Sequence, residues 1–328
     1  MMNVGSKRFL RGAAVMLVML VGGHRVDAQS YPARPVTVII PFAGGSASDV
    51  VTRIILDKVS RSMGRPFIVE NRPGSGGNIG TQAATKAPPD GYTLVAAGLG
   101  PLGPNKALTR EFNYDPHKDL DPISLLATFP NIIVTSKKLP VTTLSEFIAY
   151  ARARPGELNY GSVGVGSSQH LAGAYFEQVT GVKLTHVPYR NIAQYMPDLI
   201  GGQVPVGFQW FPNIVAALRA DGARALAVPS KLRLAALPDV PTTAEAGLPQ
   251  YIASGWFALL TPRGTPKEII AKLNQEVVAA GKDETVRDRL REQGADVTTT
   301  TPEELGQFLV AETDKWIGII KKAGIELQ

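Results

Sequence analysis

The chain contains no cysteine, which excludes disulfide bonds, thiolate metal sites and cysteine nucleophiles together. Histidine is nearly as scarce. There are four, His24, His117, His170 and His186, and their spacing makes no metal-ligand set. No dense lysine or arginine run occurs, so the electrostatic footprint of a nucleic-acid binder is missing. No Walker A sequence is present, and no serine has glycines two residues to each side, so a nucleophile elbow is absent. Gly74-Ser75-Gly76-Gly77-Asn78-Ile79-Gly80 spaces its glycines one residue too widely for a dinucleotide fingerprint, and no acid follows at a persuasive distance. These gaps leave no base, nucleophile, metal cluster or cofactor motif, and they argue against an enzyme.

What is present begins with a processing signal. Lys7, Arg8 and Arg11 precede an apolar stretch from Gly12 to Gly23, and Val26-Asp27-Ala28 offers small residues at a cleavage site. Residues 1–28 therefore read as a secretory signal peptide, with Gln29 starting the mature chain in the periplasm. The apolar core is short for a membrane span of roughly 20 residues, and no later segment is long enough, so the mature chain reads as soluble. Removing Lys7, Arg8, Arg11, Arg25 and Asp27 from 34 basic and 28 acidic residues leaves 30 and 27, a net charge of +3. A surplus this small fits an anionic small molecule and gives no support to a nucleic-acid partner.

From about residue 35 the pattern alternates between strand and helix. Apolar β-rich runs lie at 36–40, 67–69, 92–96, 132–135, 183–187, 204–208 and 225–228, with a short strand at 256–260. Helical patterns cover 50–59, 144–151 and 171–179. Thr143 with Glu146, Thr265 with Glu268 and Thr301 with Glu304 have capping-box spacing, and Pro266 and Pro302 suit the first helical position. The expectation is an α/β protein with largely parallel sheets, whose ligands settle beyond the carboxyl ends of the strands. With no long linker, two lobes joined by crossing strands are expected. Crossings near 130–133 and 252–256 give residues 29–131 plus 254–328 as one lobe and 132–253 as the other.

Two stretches share one logic. Val36–Ile40 runs into Pro41-Phe42-Ala43-Gly44-Gly45-Ser46 and then a helix. Asn159-Tyr160-Gly161-Ser162 runs into Val163-Gly164-Val165-Gly166-Ser167-Ser168 and then another. A strand that ends in small residues and opens a helix exposes free N–H groups at the positive end of a helix dipole, which is an anion site. Ligand contacts are expected from Phe42, Ala43, Gly44, Gly45, Ser46, Ser162, Gly164, Val165, Gly166, Ser167 and Ser168. Backbone N–H groups and the Ser167 and Ser168 hydroxyls would hold carboxylate oxygens. Tyr189, Gln209 and Trp210, just past strand ends, would line the cleft, Trp210 as a specificity wall. Asp49 reads as a first-turn acid favouring its helix dipole, and His170 as a polar residue satisfied beneath the loop.

The motifs together resemble the extracytoplasmic solute receptors of tripartite tricarboxylate transporters, the Bug or TctC family. Those that carry the likeness include Pro41-Phe42-Ala43-Gly44-Gly45, Glu70-Asn71-Arg72-Pro73-Gly74-Ser75-Gly76-Gly77, Gly91-Tyr92-Thr93-Leu94, His186-Val187-Pro188-Tyr189 and Leu237-Pro238-Asp239-Val240-Pro241. The resemblance implies a periplasmic-binding-protein fold of two α/β lobes with a ligand cleft between them. It implies capture of a small organic carboxylate, an aromatic acid or a dicarboxylate among the candidates. It further implies delivery by a monomeric receptor to integral membrane subunits of the transporter, and no cofactor. A sensory receptor signalling to a membrane kinase and a periplasmic enzyme are the alternatives. Ser46 stands where the family often has glycine, and Arg190-Asn191 where Lys-Gly is common. Gln209 is followed by Trp210 where an acid is frequent. Loss of that acid turns the expected ligand away from amino acids.

Overall fold

A computed structural model describes residues 31–110 and 112–325. The segment read as a signal peptide lies outside the described residues. In chain order the regular elements are β1 (Val36–Ile40), α1 (Ala47–Met63), β2 (Phe67–Asn71), α2 (Asn78–Thr85), β3 (Thr93–Gly98), α3 (Pro116–Asp119), β4 (Leu120–Pro130), β5 (Ile132–Ser136), α4 (Leu144–Arg152), β6 (Asn159–Ser162) and α5 (Ser168–Thr180). They continue with β7 (Thr185–Pro188), α6 (Ile192–Gly201), β8 (Val206–Gln209), α7 (Phe211–Arg219), β9 (Ala223–Ala227), β10 (Ser254–Pro262), α8 (Lys267–Lys282), α9 (Glu284–Glu292), β11 (Asp296–Val297) and α10 (Pro302–Ala323).

The strands form two sheets, ordered β11-β4-β10-β3-β1-β2 and β7-β6-β8-β5-β9. Each sheet is mixed, which corrects the expectation of largely parallel sheets. β2, β1 and β3 run parallel, as do β7, β6 and β8. β10, β4 and β11 are antiparallel to their neighbours in the first sheet, and β5 is antiparallel to β8 and β9 in the second. The cause is the chain's passage between sheets. β4 leaves the first sheet at Pro130, Asn131 intervenes, and β5 enters the second at Ile132. The return at Ala253 feeds β10 beside β4, and Asn131 N–H donates to Ala253 O at 2.9 Å where the two passages meet. A strand that returns from the second sheet must pair antiparallel with the one that left for it.

Among the described residues, apolar clusters cover faces of both sheets. One joins Val95, Leu125, Trp256 and Leu260 to Leu309, Trp316 and Ile320 of α10, and Leu171 of α5 packs into it. Two more cover the faces of the second sheet, around Phe147, Tyr160, Phe176 and Phe208, and around Tyr195, Leu199 and Ile214. The indoles of Trp256 and Trp316 both donate to Glu312 Oε2, at 2.9 and 3.0 Å. That satisfies two buried donors with one carboxylate oxygen.

Two of the three expected capping boxes form, at Thr143–Glu146 and Thr301–Glu304. The third does not. Thr265 Oγ1 donates to Pro262 O at 2.8 Å and pairs with Thr261, so its hydroxyl closes the turn after β10 and α8 begins uncapped at Lys267.

Candidate functional site

The loop after β1 is fixed by two side chains. Asn71 Nδ2 donates to Phe42 O and to Asp49 Oδ1, both at 3.0 Å. Asp49 Oδ2 accepts Gly45 N–H at 3.0 Å, and Arg53 pairs with Oδ1 at 2.9 Å. Gly45 is left-handed (φ 76°), a conformation that Gly adopts without steric cost. Asp49 thus shapes the loop, and Arg53 offsets its charge. Ser46 precedes α1 but caps none of its N–H groups; its hydroxyl pairs with Ser48 at 2.8 Å.

The loop after β6 is fixed from below. Ser162 Oγ accepts Gly164 N–H at 3.1 Å and meets His186 Nε2 at 2.7 Å. His170 Nδ1 accepts Gly166 N–H at 3.1 Å, so that nitrogen is unprotonated. The two imidazole centroids lie 4.1 Å apart, with the rings tilted by 32°. Burial pushes His170 down to about 4. Burial, then the neighbouring His170, push His186 down to about 3. Ser167 caps α5 through His170 N–H and donates to Gly164 O at 2.7 Å.

Four helix N-termini converge on one nearly closed space of about 20 Å³ between the sheets, lined by Phe42, Ala43, Ser46–Ser48, Val163, Gln169, Arg190–Ile192, Trp210 and Asn213. They belong to α1, α5, α6 and α7. Ser167 and Asn191 cap α5 and α6, while α1 and α7 have no side-chain cap. Ala47 N–H of α1 donates to Asn213 Oδ1 of α7 at 3.2 Å, a bond that ties the two sides together. A wider space of about 750 Å³ lies outside it, between Pro73–Gly76 and Thr109 on one side and Val163–Val165 and Pro188–Asn191 on the other. The two share Val163, Arg190 and Asn191. No acidic side chain lines either, and among the described residues Arg190 is the one charged residue that does. Such a space favours a small anion.

The description of a tripartite tricarboxylate transporter family receptor (TctC) matches residues 51–325. The chain belongs to this family. It is 36% identical over 304 residues to protein BugT of Bordetella pertussis, a match covering 92% of this chain and 93% of that protein. Among solved structures, R. palustris Rpa4515 with adipate has 37% identity and a TM-score of 0.87, covering 91% of this chain and all (100%) of that one. MatC from Rhodopseudomonas palustris with bound malate has 34% identity and a TM-score of 0.82, covering 88% of this chain and 100% of that one. The fold is that of the periplasmic binding proteins, two α/β lobes with a cleft.

Within this receptor, the residues expected at the site divide. Phe42, Ala43, Ser46 and Trp210 line the inner space, and Gly164, Val165 and Tyr189 the outer one. Trp210 stacks on Phe129 at 5.4 Å and meets Phe257 edge-on at 5.0 Å. Its buried Nε1–H has no partner among the described residues. Gly44 and Gly45 build the first loop without lining either space. Ser162, Gly166, Ser167 and Ser168 also line neither. The N–H groups of Gly164, Gly166 and Ser167 are taken by Ser162 Oγ, His170 Nδ1 and Gly164 O. Ser168 Oγ is tied to the Asn131 carboxamide at the crossing, Asn131 Nδ2 donating to it at 2.9 Å. The expectation that the Ser167 and Ser168 hydroxyls face a ligand is therefore corrected, because the fold already uses both. Gln209 is fully buried, donating to Gly161 O and accepting from Asn213 Nδ2, each at 3.2 Å. It positions Asn213 and does not wall the cleft. Tyr189 OH donates to Asp198 at 2.5 Å, and burial first, then that carboxylate, raise its pKa.

Sequence reasoning missed Ala47, Ser48, Val163, Gln169, Arg190, Asn191, Ile192 and Asn213. Arg190-Asn191 stood out as a departure from the family pattern. Asn213 carried a weaker signal, following Pro212 in the first turn of a helix.

The glycine cluster at 74–77 lies on one wall of the outer space, against the loop after β6. A Cβ on Gly76 would meet the Val165 carbonyl, and one on Gly100 the Gly166 carbonyl. These glycines let the loop of the second lobe dock onto the first.

Proposed function

We propose that this receptor closes its two lobes, residues 29–131 with 254–328 and residues 132–253, around a small organic carboxylate in the periplasm and hands it to integral membrane subunits of a tripartite transporter. One observation carries the reading: four helix N-termini, two of them with no hydrogen bond from their own N-cap side chain, meet in a space with no acid in its lining. The carboxylate would lie against the α1 terminus at Ala43–Ser48 and the α7 terminus at Trp210–Asn213, with Phe42, Val163 and Trp210 as apolar walls. Charge-assisted hydrogen bonds to helix-terminal N–H groups supply the attraction, and exclusion of water strengthens it. The solved relatives with adipate and with malate support a carboxylate as the ligand class. The receptor acts as a monomer without catalysis or cofactor, and it reaches the periplasm through a cleaved segment at residues 1–28. It closes because a ligand touching both lobes stabilises the closed form alone.

Thermal melting with a panel of organic acids and their neutral amides tests the reading. Acids from the panel raise the melting temperature by mass action and the matching amides do not. Equal shifts from acid and amide would overturn it.

A further inference from the structure

We infer that Asn105 biases the empty receptor toward its open form, because its carboxamide oxygen loses water when the lobes close and gains no partner in exchange. This rests on the lobe closure proposed for the receptor and adds the residue that sets its equilibrium. Asn105 lies in the short 3-10 turn Pro104–Ala107 after β3, in the first lobe, and is 1% exposed. Its Nδ2 donates to Asn78 Oδ1 of the same lobe at 2.7 Å. Its buried Oδ1 has no hydrogen-bond partner among the described residues.

That oxygen lies against the second lobe. A Cβ on Gly166 would overlap it, and a Cβ on Gly100 would meet both it and the Gly166 carbonyl. Gly166 N–H is taken by His170 Nδ1 at 3.1 Å, and Gly164 N–H by Ser162 Oγ. The loop after β6 therefore covers the oxygen without satisfying it. Two other buried oxygens without partners, on Thr52 and Thr135, lie inside α1 and β5, each within one lobe. Asn105 Oδ1 differs because the surface that buries it comes from across the cleft. Water reaches it when the loop withdraws and leaves it when the loop docks, so the desolvation cost falls on the closed form alone. A ligand that bridges the lobes offsets this cost, and its apparent affinity is reduced by the small fraction of receptor that would close unaided.

The chain has no cysteine, so two introduced ones carry spin labels without background. Ile79→Cys and Ala193→Cys are exposed sites in the first turns of α2 and α6, just behind opposite walls of the outer space. Double electron–electron resonance between them reads the open and closed populations, without ligand and with adipate or malate. Asn105→Ala removes the oxygen, and half-buried Asn78 can accept from water instead. It should raise the closed-to-open ratio of the empty protein about tenfold. Asn105→Ser, which also lacks Oδ1, should do the same and decides the matter if Asn105→Ala does not fold. Asn105→Asp keeps the shape but sets a charge against Gly166 and Asn78 Oδ1, and should lower the ratio. Opposite signs distinguish this role from simple packing, under which every substitution disfavours closure. A wild type with two distances whose ratio does not rise in Asn105→Ala or Asn105→Ser would overturn the assignment and leave lobe closure standing. A single distance that neither the substitutions nor the two acids alter would overturn both.

Discussion

A side-chain carbon on Gly76 would overlap the backbone carbonyl of Val165. The two belong to opposite walls of the outer space, so their approach measures how closely the walls meet. Gly76 is also left-handed, at φ 61° and ψ 19°.

Gly76→Ala should therefore act twice. The backbone strain costs about 1 kcal/mol, and the methyl group holds the Val165 loop away. The expected outcome is a carboxylate affinity lowered by about tenfold and a larger radius of gyration by small-angle scattering in saturating ligand. Wild-type values for both would show that the docking of this loop is incidental to closure.

Asn213 accepts from Ala47 N–H and donates to Gln209, so its carboxamide lies at the junction of two helix termini. Asn213→Asp keeps the shape and the acceptor but places a negative charge in the inner space. Carboxylate affinity should fall by at least about tenfold at neutral pH, because like charges in a partly desolvated space repel. A cooperative melting transition of Asn213→Asp at pH 7 separates charge repulsion from misfolding. Undiminished affinity at pH 7 would place the ligand elsewhere.

Trp210→Phe keeps an aromatic ring between Phe129 and Phe257 and removes the unpartnered Nε1–H. Removing an unsatisfied buried donor relieves its desolvation penalty of about 1–3 kcal/mol, and the smaller ring gives some of that back. The melting temperature should change little without ligand, while carboxylate affinity drops. If the affinity is unaltered, the indole is a wall and donates nothing.

The adjacent His170 and His186 make stability depend on pH. Both are held below their free value of 6.5, at about 4 and about 3. Below pH 6.5 the unfolded chain takes up protons that the folded chain refuses. Stability is thus full above about 6.5 and is lost as pH falls toward 4 and 3, by at most about 1.4 kcal/mol per pH unit per histidine. Urea titrations at pH 7.5 and 5 should show a lower midpoint at pH 5, with a smaller difference in His186→Gln. A midpoint that does not move between these two values would contradict the buried neutral pair.

Much of the fold is readable along the chain. Val36–Ile40 is a buried strand at the expected residues, and the capping boxes at Thr143 and Thr301 start α4 and α10, because these signals are local. β4 escapes a local reading. Asp121 and Pro122 break its apolar pattern, and its partners lie far away, β10 on one side and the two-residue β11 on the other. The mixed sense of the sheets is hidden for the same reason, since direction follows from where the chain crosses and no residue encodes it alone.

At the site, the sequence by itself determined the two strand–loop–helix turns, the apolar strands that carry them, and the glycines at 45, 74, 76, 77, 164 and 166. Each depends on backbone freedom or hydrogen bonding within a few residues. Only the tertiary structure decided which groups remain available to a ligand. Ser167, Ser168 and Gln209 are polar residues in the right neighbourhood, but Gly164, Asn131 and Gly161 had already claimed them. Ala47, Asn213 and Arg190 meet only because two sheets built from distant segments bring their helix termini together. Hydrogen bonds are saturable, so a donor's role depends on every competitor within reach, and those competitors are known only once the chain has folded.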